Sequence, residues 1–216
     1  SFELIVLEIE PHEPAPQAVH MIDLQRVIED IREAPSICKA ATLCVGWMQD
    51  LTGFDRVMVY RFNSDDSGEV IAEAKQPDQQ PYLGLRYPAM DIPRQARRLM
   101  LRNPVRILAD VDDPGAEILP LVSIEGEALD LSMSALRSHS LMHTEYLTNM
   151  GVKASFVVSI ISRGRLWGMI SCHHRTTRQL NYAIRCKADL FAHMLGLVFD
   201  NKEIAAENAH RDAAQK

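Results

Sequence analysis

The sequence predicts an α+β fold in which helices flank a central antiparallel sheet. Two stretches, 56–75 and 154–174, alternate with the period of two that is typical of strands, and each contains a turn-forming sequence. Segments with apolar residues spaced by three and four precede the first stretch and follow the second. Sequential hairpins favour antiparallel pairing, and the helices outside them make the fold α+β.

The N-terminal part is predicted to hold a linker and two helices. The chain begins without methionine or a basic signal sequence, and a strand-like apolar run with prolines behind it makes residues 1–21 resemble the end of an upstream unit. Helical spacing begins at Asp23 and is interrupted at Pro35. Ser36 can cap a second helix, which Gly53 ends.

Two hairpins are predicted to form the sheet. In the first, the β-forming run Arg56–Phe62 is followed by a turn-rich stretch and a strand at 69–75. In the second, strands at 154–162 and 166–174 are joined by a tight Arg-Gly turn.

The chain between the hairpins is long and irregular, which is more typical of functional segments than of simple connections. Asp91 is expected near the cap of a helix with Pro93 in its first turn, and Pro104 ends that helix. The other elements expected are a strand at 105–111, a loop at 112–130, helices at 131–137 and 143–150, and a last helix over about 181–210.

Composition indicates a folded protein of the cytoplasm. Hydrophobic residues make up 47% of the 216 residues and charged residues 24%, which excludes wholesale disorder. No apolar run approaches the roughly 20 residues that span a bilayer. The net charge of −6 does not favour nucleic acid or anionic membrane as a partner. The four cysteines form no CxxC pair, so reduced thiols are expected.

The sequence predicts neither catalysis nor a metal site. HExxH, GxSxG and P-loop sequences are absent. His173 and His174 are adjacent on a predicted strand, so their rings should point to opposite faces and not share a metal ion. Cys172 and His143 are a conceivable nucleophile and base, but a structural role is favoured for such residues.

A cluster of arginines leaves two interpretations open. Its members are Arg94, Arg97, Arg98, Arg102 and Arg106. They could form a solvated face held in salt bridges. Alternatively, one or two of them, with Arg137, could bind ligand carboxylates, because guanidinium groups make bidentate bonds to carboxylates. The residues alone favour the first interpretation.

Five sequence blocks resemble those of phytochromes, in the same order. They are Leu51-Thr-Gly-Phe-Asp-Arg-Val-Met-Val-Tyr60, Gly68-Glu-Val-Ile-Ala-Glu-Ala74, Tyr82-Leu-Gly-Leu-Arg-Tyr-Pro-Ala-Met-Asp-Ile-Pro93, Leu136-Arg-Ser-His-Ser-Leu-Met-His-Thr-Glu-Tyr-Leu-Thr-Asn-Met-Gly-Val152 and Leu166-Trp-Gly-Met-Ile-Ser-Cys-His-His174. The resemblance, to bacterial phytochromes in particular, implies a GAF domain at 22–200. It also implies that residues 1–21 are the end of a PAS domain with its linker and that 201–216 begin a connector helix toward a PHY domain.

The resemblance implies a pocket for biliverdin, a linear tetrapyrrole with two propionates. Asp91 corresponds to the aspartate near the pyrroles and the D-ring, His143 to the histidine beside the inner pyrrole water, and His173 to the histidine that bonds the D-ring carbonyl. The implied propionate contacts are Arg106, Arg137 and Ser155. The residues implied to line or buttress the pocket are Met58, Tyr60, Tyr82, Tyr87, Ile92, Pro93 and Tyr146.

Four methionine or valine positions depart from the family pattern. Met142 stands where plant and many cyanobacterial relatives carry the pigment-attaching cysteine, so no thioether can form there. Bacterial relatives use a cysteine upstream of the PAS domain, which would lie outside this chain. Met90, Met100 and Val157 replace residues that are often polar, and we expect them to alter propionate anchoring.

The implied function is that of the chromophore-binding region of a red/far-red photoreceptor. Light would isomerise the double bond between the C- and D-rings, and the D-ring would exchange partners between His173 and the Asp91 side. The movement would pass to an output module, such as a histidine kinase, outside this chain. Two alternatives stay open: a degenerate GAF domain that serves in interaction or dimerisation, and a GAF domain for another small molecule such as a cyclic nucleotide.

The last helix carries an apolar face made of Leu190, Met194, Leu197 and Val198. Because phytochromes often dimerise through this helix, a parallel homodimer is one expectation. Packing of the same face on the chain's own sheet is the other.

Overall fold

The structure, a computed structural model, describes residues 5–10, 21–119, 126 and 128–214. Its strands are β1 (Arg56–Phe62), β2 (Gly68–Lys75), β3 (Arg86–Tyr87), β4 (Val105–Leu108), β5 (Ala154–Ser162) and β6 (Arg165–His174). Its helices are α1 (Met21–Glu33), α2 (Ile37–Thr52), α3 (Arg94–Arg102), α4 (Leu141–Asn149) and α5 (Tyr182–Ala214). The strands form one sheet in the order β3-β2-β1-β6-β5-β4, and every pairing is antiparallel. The predicted α+β class is confirmed.

Local signals in the sequence set the ends of α2 and the second hairpin. The Ser36 hydroxyl accepts a hydrogen bond from the Lys39 backbone N–H at 3.2 Å, and Gly53 ends α2 in the left-handed region at φ 65°. The turn between β5 and β6 places Arg163 at φ 49° and Gly164 at φ 70°. Two positive φ angles in succession match the twist of a tight hairpin.

The main core lies between the sheet and the helices α1, α2 and α5. Alternation along β1 sends Val57 and Val59 into this core, while Met58 and Tyr60 point to the opposite face. Gly196 lets α5 approach β5 closely. A Cβ at this position would collide with the Ile161 carbonyl oxygen. The opposite face carries α3, whose Met100 carbonyl accepts a hydrogen bond from a β5 serine at 2.9 Å.

Two predicted helix features near the middle of the chain are wrong. Asp91 does not cap α3; the helix begins at Arg94, and Pro93 precedes it in an extended conformation without a side-chain cap. The residue before a proline is kept from helical geometry, which moves the start past Asp91.

The predicted helix at 131–137 is also wrong. The Asp130 carboxylate accepts the Ser132 N–H at 2.8 Å, and the Asn103 side chain donates to the carbonyls of Ser132 and Ser134 at 3.4 and 3.1 Å. These side-chain bonds satisfy backbone groups that a helix would otherwise pair, so the segment forms turns instead.

Other boundaries shift by a few residues. The predicted strand at 105–111 ends at 108, the 143–150 helix begins at 141, and the last helix runs to 214; the short strand β3 was not predicted. The strand-like N-terminal run has no regular secondary structure at residues 5–10 and pairs with no strand of the described sheet. The proline-rich stretch at 11–20 lies outside the described residues.

Of the four residues on the apolar face of α5, two pack against the chain's own core and two are exposed. Val198 is buried and Met194 packs against the main core, so these two residues serve the chain's own fold. Leu190 and Leu197 are 45% and 60% exposed, one heptad apart on the outer side.

Candidate functional site

Cross-strand rows build the face of the sheet opposite the main core, which we call the pocket face. Directly paired residues project to the same face. The rows are Ser155–His173–Arg56, then Arg106–Val157–Ser171–Met58–Glu73, then Ser159–Met169–Tyr60–Val70. The structure therefore brings five of the predicted site residues to one face: Met58, Tyr60, Arg106, Ser155 and His173.

An apolar cluster occupies one end of the pocket face. It is formed by Met58, Tyr60 and Val70, with Phe62, Tyr82, Tyr87, Ile92 and Met169 packed against them. The Tyr60 ring centroid lies 5.2 Å from that of Phe62 and 6.0 Å from that of Tyr87. A Cβ at Gly68 would lie closer than 3.0 Å to the Tyr60 ring, so the glycine makes room for it. The structure thus groups five predicted lining residues.

Asp91 adds a carboxylate beside these tyrosines. Asp91 ends a turn that is closed by a hydrogen bond from its backbone N–H to the Pro88 carbonyl at 3.1 Å. Burial, and then the negative charge of Asp91, raise the pKa of Tyr60 to about 12. Burial followed by the same carboxylate also raises the pKa of Tyr146. Asp91 is exposed, and its carboxylate accepts no hydrogen bond from a described side chain, so it is available to a ligand N–H.

Two predicted lining residues are more exposed than that role suggests. Tyr146, on α4, is 44% exposed. Pro93 is exposed at the start of α3, where its φ of −58° directs the chain out of the Asp91 turn. Their placement in the lining remains a prediction.

His173 is the buried polar centre of the pocket face. It is 8% exposed, and one ring nitrogen, Nε2, lies 3.2 Å from the Ser171 hydroxyl. The other, Nδ1, is buried without a hydrogen-bond partner among the described residues. Burial, Arg56 and His143 lower the pKa of His173 to about 3, so the ring is neutral. A neutral imidazole has one donor and one acceptor nitrogen, and leaving either unused in a buried place is costly.

The neighbouring histidine points the other way, as the sequence predicts. His174 packs against Phe54 at 5.5 Å, and its Nδ1 accepts the Asp55 N–H at 3.2 Å. This histidine therefore belongs to the structural side of β6.

A buried ion pair beside His173 was not predicted. Arg56 is the direct cross-strand neighbour of His173 and forms a salt bridge with Glu73, with side chains 6% and 3% exposed. The guanidinium also covers the Tyr82 ring, 3.8 Å from its centroid, and Glu73 accepts the Tyr82 N–H at 2.9 Å. The signal was present, because the period of two that places Met58 inward also places Arg56 inward.

A second histidine accompanies His143 and was also missed. The His139 ring stacks on His143 with centroids 5.4 Å apart and an interplanar angle of 19°. Burial, His143 and Arg137 lower the pKa of His139 to about 4. Burial lowers the pKa of His143 too. His143 lies in the first turn of α4, and the hydroxyl of the N-cap residue Ser140 accepts its backbone N–H at 3.4 Å.

The predicted carboxylate-binding residues fall into two places. Arg106 is half-buried on β4 and forms no ion pair with any described residue, and Ser155 lies one row away on β5. Arg137 lies apart from the sheet, and its Nη1 donates to the carbonyls of Leu131, at 3.2 Å, and Ser132. Whether these residues contact propionates remains a prediction.

The other arginines of the cluster have carboxylate partners or face solvent. Arg94 and Arg97 lie 3.9 and 2.7 Å from Asp66, and Arg102 lies 3.9 Å from Asp130. The salt-bridge interpretation is confirmed for these three, which separates them from Arg106.

The positions that depart from the family pattern differ in burial. Met90 and Met142 are 85% and 83% exposed. Met100 is the buried residue of α3, and Val157 is the half-buried cross-strand neighbour of Arg106. Of these four positions, only Val157 is the direct neighbour of Arg106, a residue predicted to bind a carboxylate, and therefore directly reduces the polarity around it.

Two clefts open beside these residues. One, of about 360 Å³, is lined by residues that include Arg56, Tyr82, Gly151 and His173. The other, of about 560 Å³, lies between Arg97, Arg165 and Trp167, away from the histidines. His173 is thus one of the residues that line the first cleft.

The groups on the pocket face define the ligand that would fit them. His173 needs a hydrogen-bond partner, Asp91 offers an acceptor, and Arg106 offers a positive charge that no carboxylate of the described residues pairs. The tyrosine cluster supplies an apolar wall. A flat, partly apolar molecule with N–H groups, a carbonyl and carboxylates satisfies all four features. Among the helices of the described residues, none is long and apolar enough to cross a membrane.

Comparisons with known proteins agree on one family. Residues 40–197 match the GAF domain family. The chain is 43% identical over 183 residues to a bacteriophytochrome of Pseudomonas aeruginosa, covering 84% of this chain and 25% of that protein. It is 44% identical over 191 residues to a bacteriophytochrome of Xanthomonas campestris pv. campestris, covering 88% of this chain and 30% of that protein. The chain thus spans between a quarter and a third of these relatives.

A solved structure extends the match to three dimensions. The chromophore-binding domain of an unusual bacteriophytochrome from R. palustris superposes with a TM-score of 0.82 at 37% identity, covering 85% of this chain and 62% of that one. The match of the family over most of the sequence, the sheet order and this superposition lead to one conclusion: the chain belongs to the GAF domain family, with bacteriophytochromes among its homologues.

Proposed function

We propose that this chain is the chromophore-binding region of a red/far-red photoreceptor and that its pigment is biliverdin. The observation that carries the proposal is the buried, neutral His173 ring, which has an unpartnered nitrogen on the pocket face. The bacteriophytochrome relatives support the same role.

A bound bilin supplies a conjugated chain whose double bond isomerises on absorbing light. The residues of the chain would hold and tune it. His173 would donate to the D-ring carbonyl when the Ser171 hydroxyl donates to its other nitrogen, and Asp91 would accept pyrrole N–H bonds. Tyr60 and Tyr87 would form an apolar wall that keeps water from the rotating ring. The ring would exchange partners between His173 and the Asp91 side, and the two arrangements would form the states of a switch.

The propionates would be held on the other side of the face. Arg106 and Ser155 project from neighbouring strands, and Arg137 would reach the propionates from the loop at 131–137. Guanidinium groups suit carboxylates because they can bind both oxygens. His143, stacked on His139, would lie beside the pyrroles as a hydrogen-bonding group. Val157 in place of a polar residue would weaken this anchoring.

The proposal extends to the longer protein. Residues 1–21 would end a PAS domain that carries the pigment-attaching cysteine upstream, residues 22–200 would form the GAF unit, and 201–216 would lead to a PHY domain. The output module, such as a histidine kinase, would lie beyond it in a cytoplasmic protein. Leu190 and Leu197, exposed on α5, would contribute to a parallel homodimer.

The test is absorption spectroscopy of the full-length protein mixed with biliverdin, before and after red light. We expect a red or far-red band that changes reversibly with illumination. His173→Gln should shift the band or slow photoconversion, whereas the matched variant His174→Gln should leave both unchanged, since His174 lies on the opposite side of β6. Absence of any such band in the wild type would refute the proposal and favour a degenerate GAF domain.

A further inference from the structure

Residues 5–10 form a segment without regular secondary structure that is attached to the domain by two carboxylates. Glu10 forms a salt bridge with Arg185, a residue of α5 that is only 4% exposed. Two positions earlier, Glu8 binds the loop that precedes α4. The apolar residues that alternate with these carboxylates point away from the domain: Leu7 and Ile9 are 82% and 87% exposed.

The Glu8 carboxylate fills a concave site made by the loop at 131–137. Its Oε1 accepts the Leu136 N–H at 2.8 Å and the Ser134 hydroxyl, and its Oε2 accepts the Ala135 N–H at 3.1 Å. Hydrogen bonds from two successive backbone amides and a hydroxyl are a strong arrangement for an anion. Partial burial acts to raise the pKa of Glu8, but these hydrogen bonds outweigh it, and the pKa lies below its usual value.

The side chain of Arg137 binds carbonyl groups of the same loop. The Arg137 Nη1 donates to the Leu131 and Ser132 carbonyls, while the buried Asn103 side chain fixes the Ser132 and Ser134 carbonyls. The Nη2 and Nε groups of Arg137 have no partner among the described residues. Burial and Arg102 lower the pKa of Arg137, and the Glu8 charge opposes them. Glu8 thus binds the two backbone amides that immediately precede the arginine.

We infer that Glu8 is a positioning residue for Arg137, so that the segment at 5–10 controls how strongly the domain binds the carboxylates of its ligand. The inference rests on the proposed function, because it assigns those carboxylates to a bilin. Glu8 would not touch the ligand. It would set the conformation of the 131–137 loop and, through it, the direction of the unpaired Arg137 N–H groups.

The test compares biliverdin with its dimethyl ester, in which both carboxylates are neutral. Dissociation constants for the two pigments are measured by absorption titration of the full-length protein with the proposed upstream attaching cysteine replaced by alanine, so that binding is reversible. Their ratio reports carboxylate recognition independently of the folded fraction. We expect Glu8→Gln to reduce the preference for the free acid by about fivefold, a magnitude typical of coupling between sites. Glu10→Gln, which perturbs the same segment at Arg185, should leave the ratio unchanged.

An Arg137→Met background tests whether the coupling runs through the arginine. There, Glu8→Gln should no longer change the ratio. A wild type that prefers the free acid, with the same preference in Glu8→Gln, would overturn the inference alone, and so would an equal effect of Glu8→Gln in the Arg137→Met background. A wild type that binds neither pigment would overturn the proposed function and the inference with it.

Discussion

Loss of one member of the buried Arg56–Glu73 pair should destabilise the domain strongly. Glu73→Met leaves the guanidinium of Arg56 buried without its counter-charge, and Arg56→Met does the same to the carboxylate. The double variant removes both charges and replaces them with flexible apolar side chains of similar length. The three variants therefore separate the cost of an unpaired charge from the cost of losing the interaction.

The structure sets the magnitude of each effect. The two side chains are 6% and 3% exposed, so solvent does not screen them. Breaking such a pair costs about 3–5 kcal/mol, which lowers the melting temperature of a chain of this size by about 6–20 °C. The double variant loses the bond that the Tyr82 N–H donates to Glu73 and the bond that Arg56 donates to the Gln80 carbonyl, and we expect a cost of about 1–3 kcal/mol.

Chemical denaturation of the three variants and the wild type measures these differences, and the midpoint and slope are fitted for each. We expect the double variant to be more stable than either single variant. Costs that add in the double variant would show that no net coupling joins the two charges and would refute the reasoning. As a second readout, Arg56→Met should raise the pKa of His173, because Arg56 is one of the causes that lower it.

Two further predictions concern packing and pH. Gly68→Ala forces a methyl group into the Tyr60 ring and should lower the free energy of unfolding by about 1–3 kcal/mol, measured by thermal unfolding. The control Gly46→Ala, with open space around its Cβ, should be neutral or stabilising. An equal cost of Gly68→Ala in a Tyr60→Ala background would show that the ring is not the obstacle. The pKa of His173 is lowered from 6.5 to about 3, so its contribution to stability is complete above pH 6.5 and declines below it as the unfolded chain alone takes up a proton. Denaturation between pH 6.5 and 4.5 should show His173→Gln losing less stability than the wild type, by about 1.4 kcal/mol per pH unit, and parallel curves would contradict this.

The sequence predicted the sheet and its two faces because period-two alternation is a local property. The alternation at Met58 and Tyr60, and the tight turn at Arg163, needed no knowledge of the rest of the fold. The segment at 131–137 could not be predicted in this way. Its apolar spacing suits a helix, but contacts from Asn103 and Glu8, distant in sequence, bind its backbone instead.

The candidate site was predicted in part, and mainly through the resemblance to phytochromes. The residues that the prediction lacked are those whose meaning depends on a partner. The alternation of β1 places Arg56 inward, but its role depends on Glu73, and that of His139 depends on the ring of His143. Such pairs join positions that only the folded chain brings together, so spacing indicates the inward position of Arg56 but not its partner.

The most direct test of the central claim is ¹⁵N NMR of the histidine side chains during titration of the full-length protein with biliverdin. If the pocket face holds the pigment, the ring nitrogens of His173 should shift on binding and shift again under red light. The ring of His174, bonded to the Asp55 N–H on the other side of the strand, should stay unchanged. A biliverdin complex in which His173 keeps its free-state shifts would contradict the account.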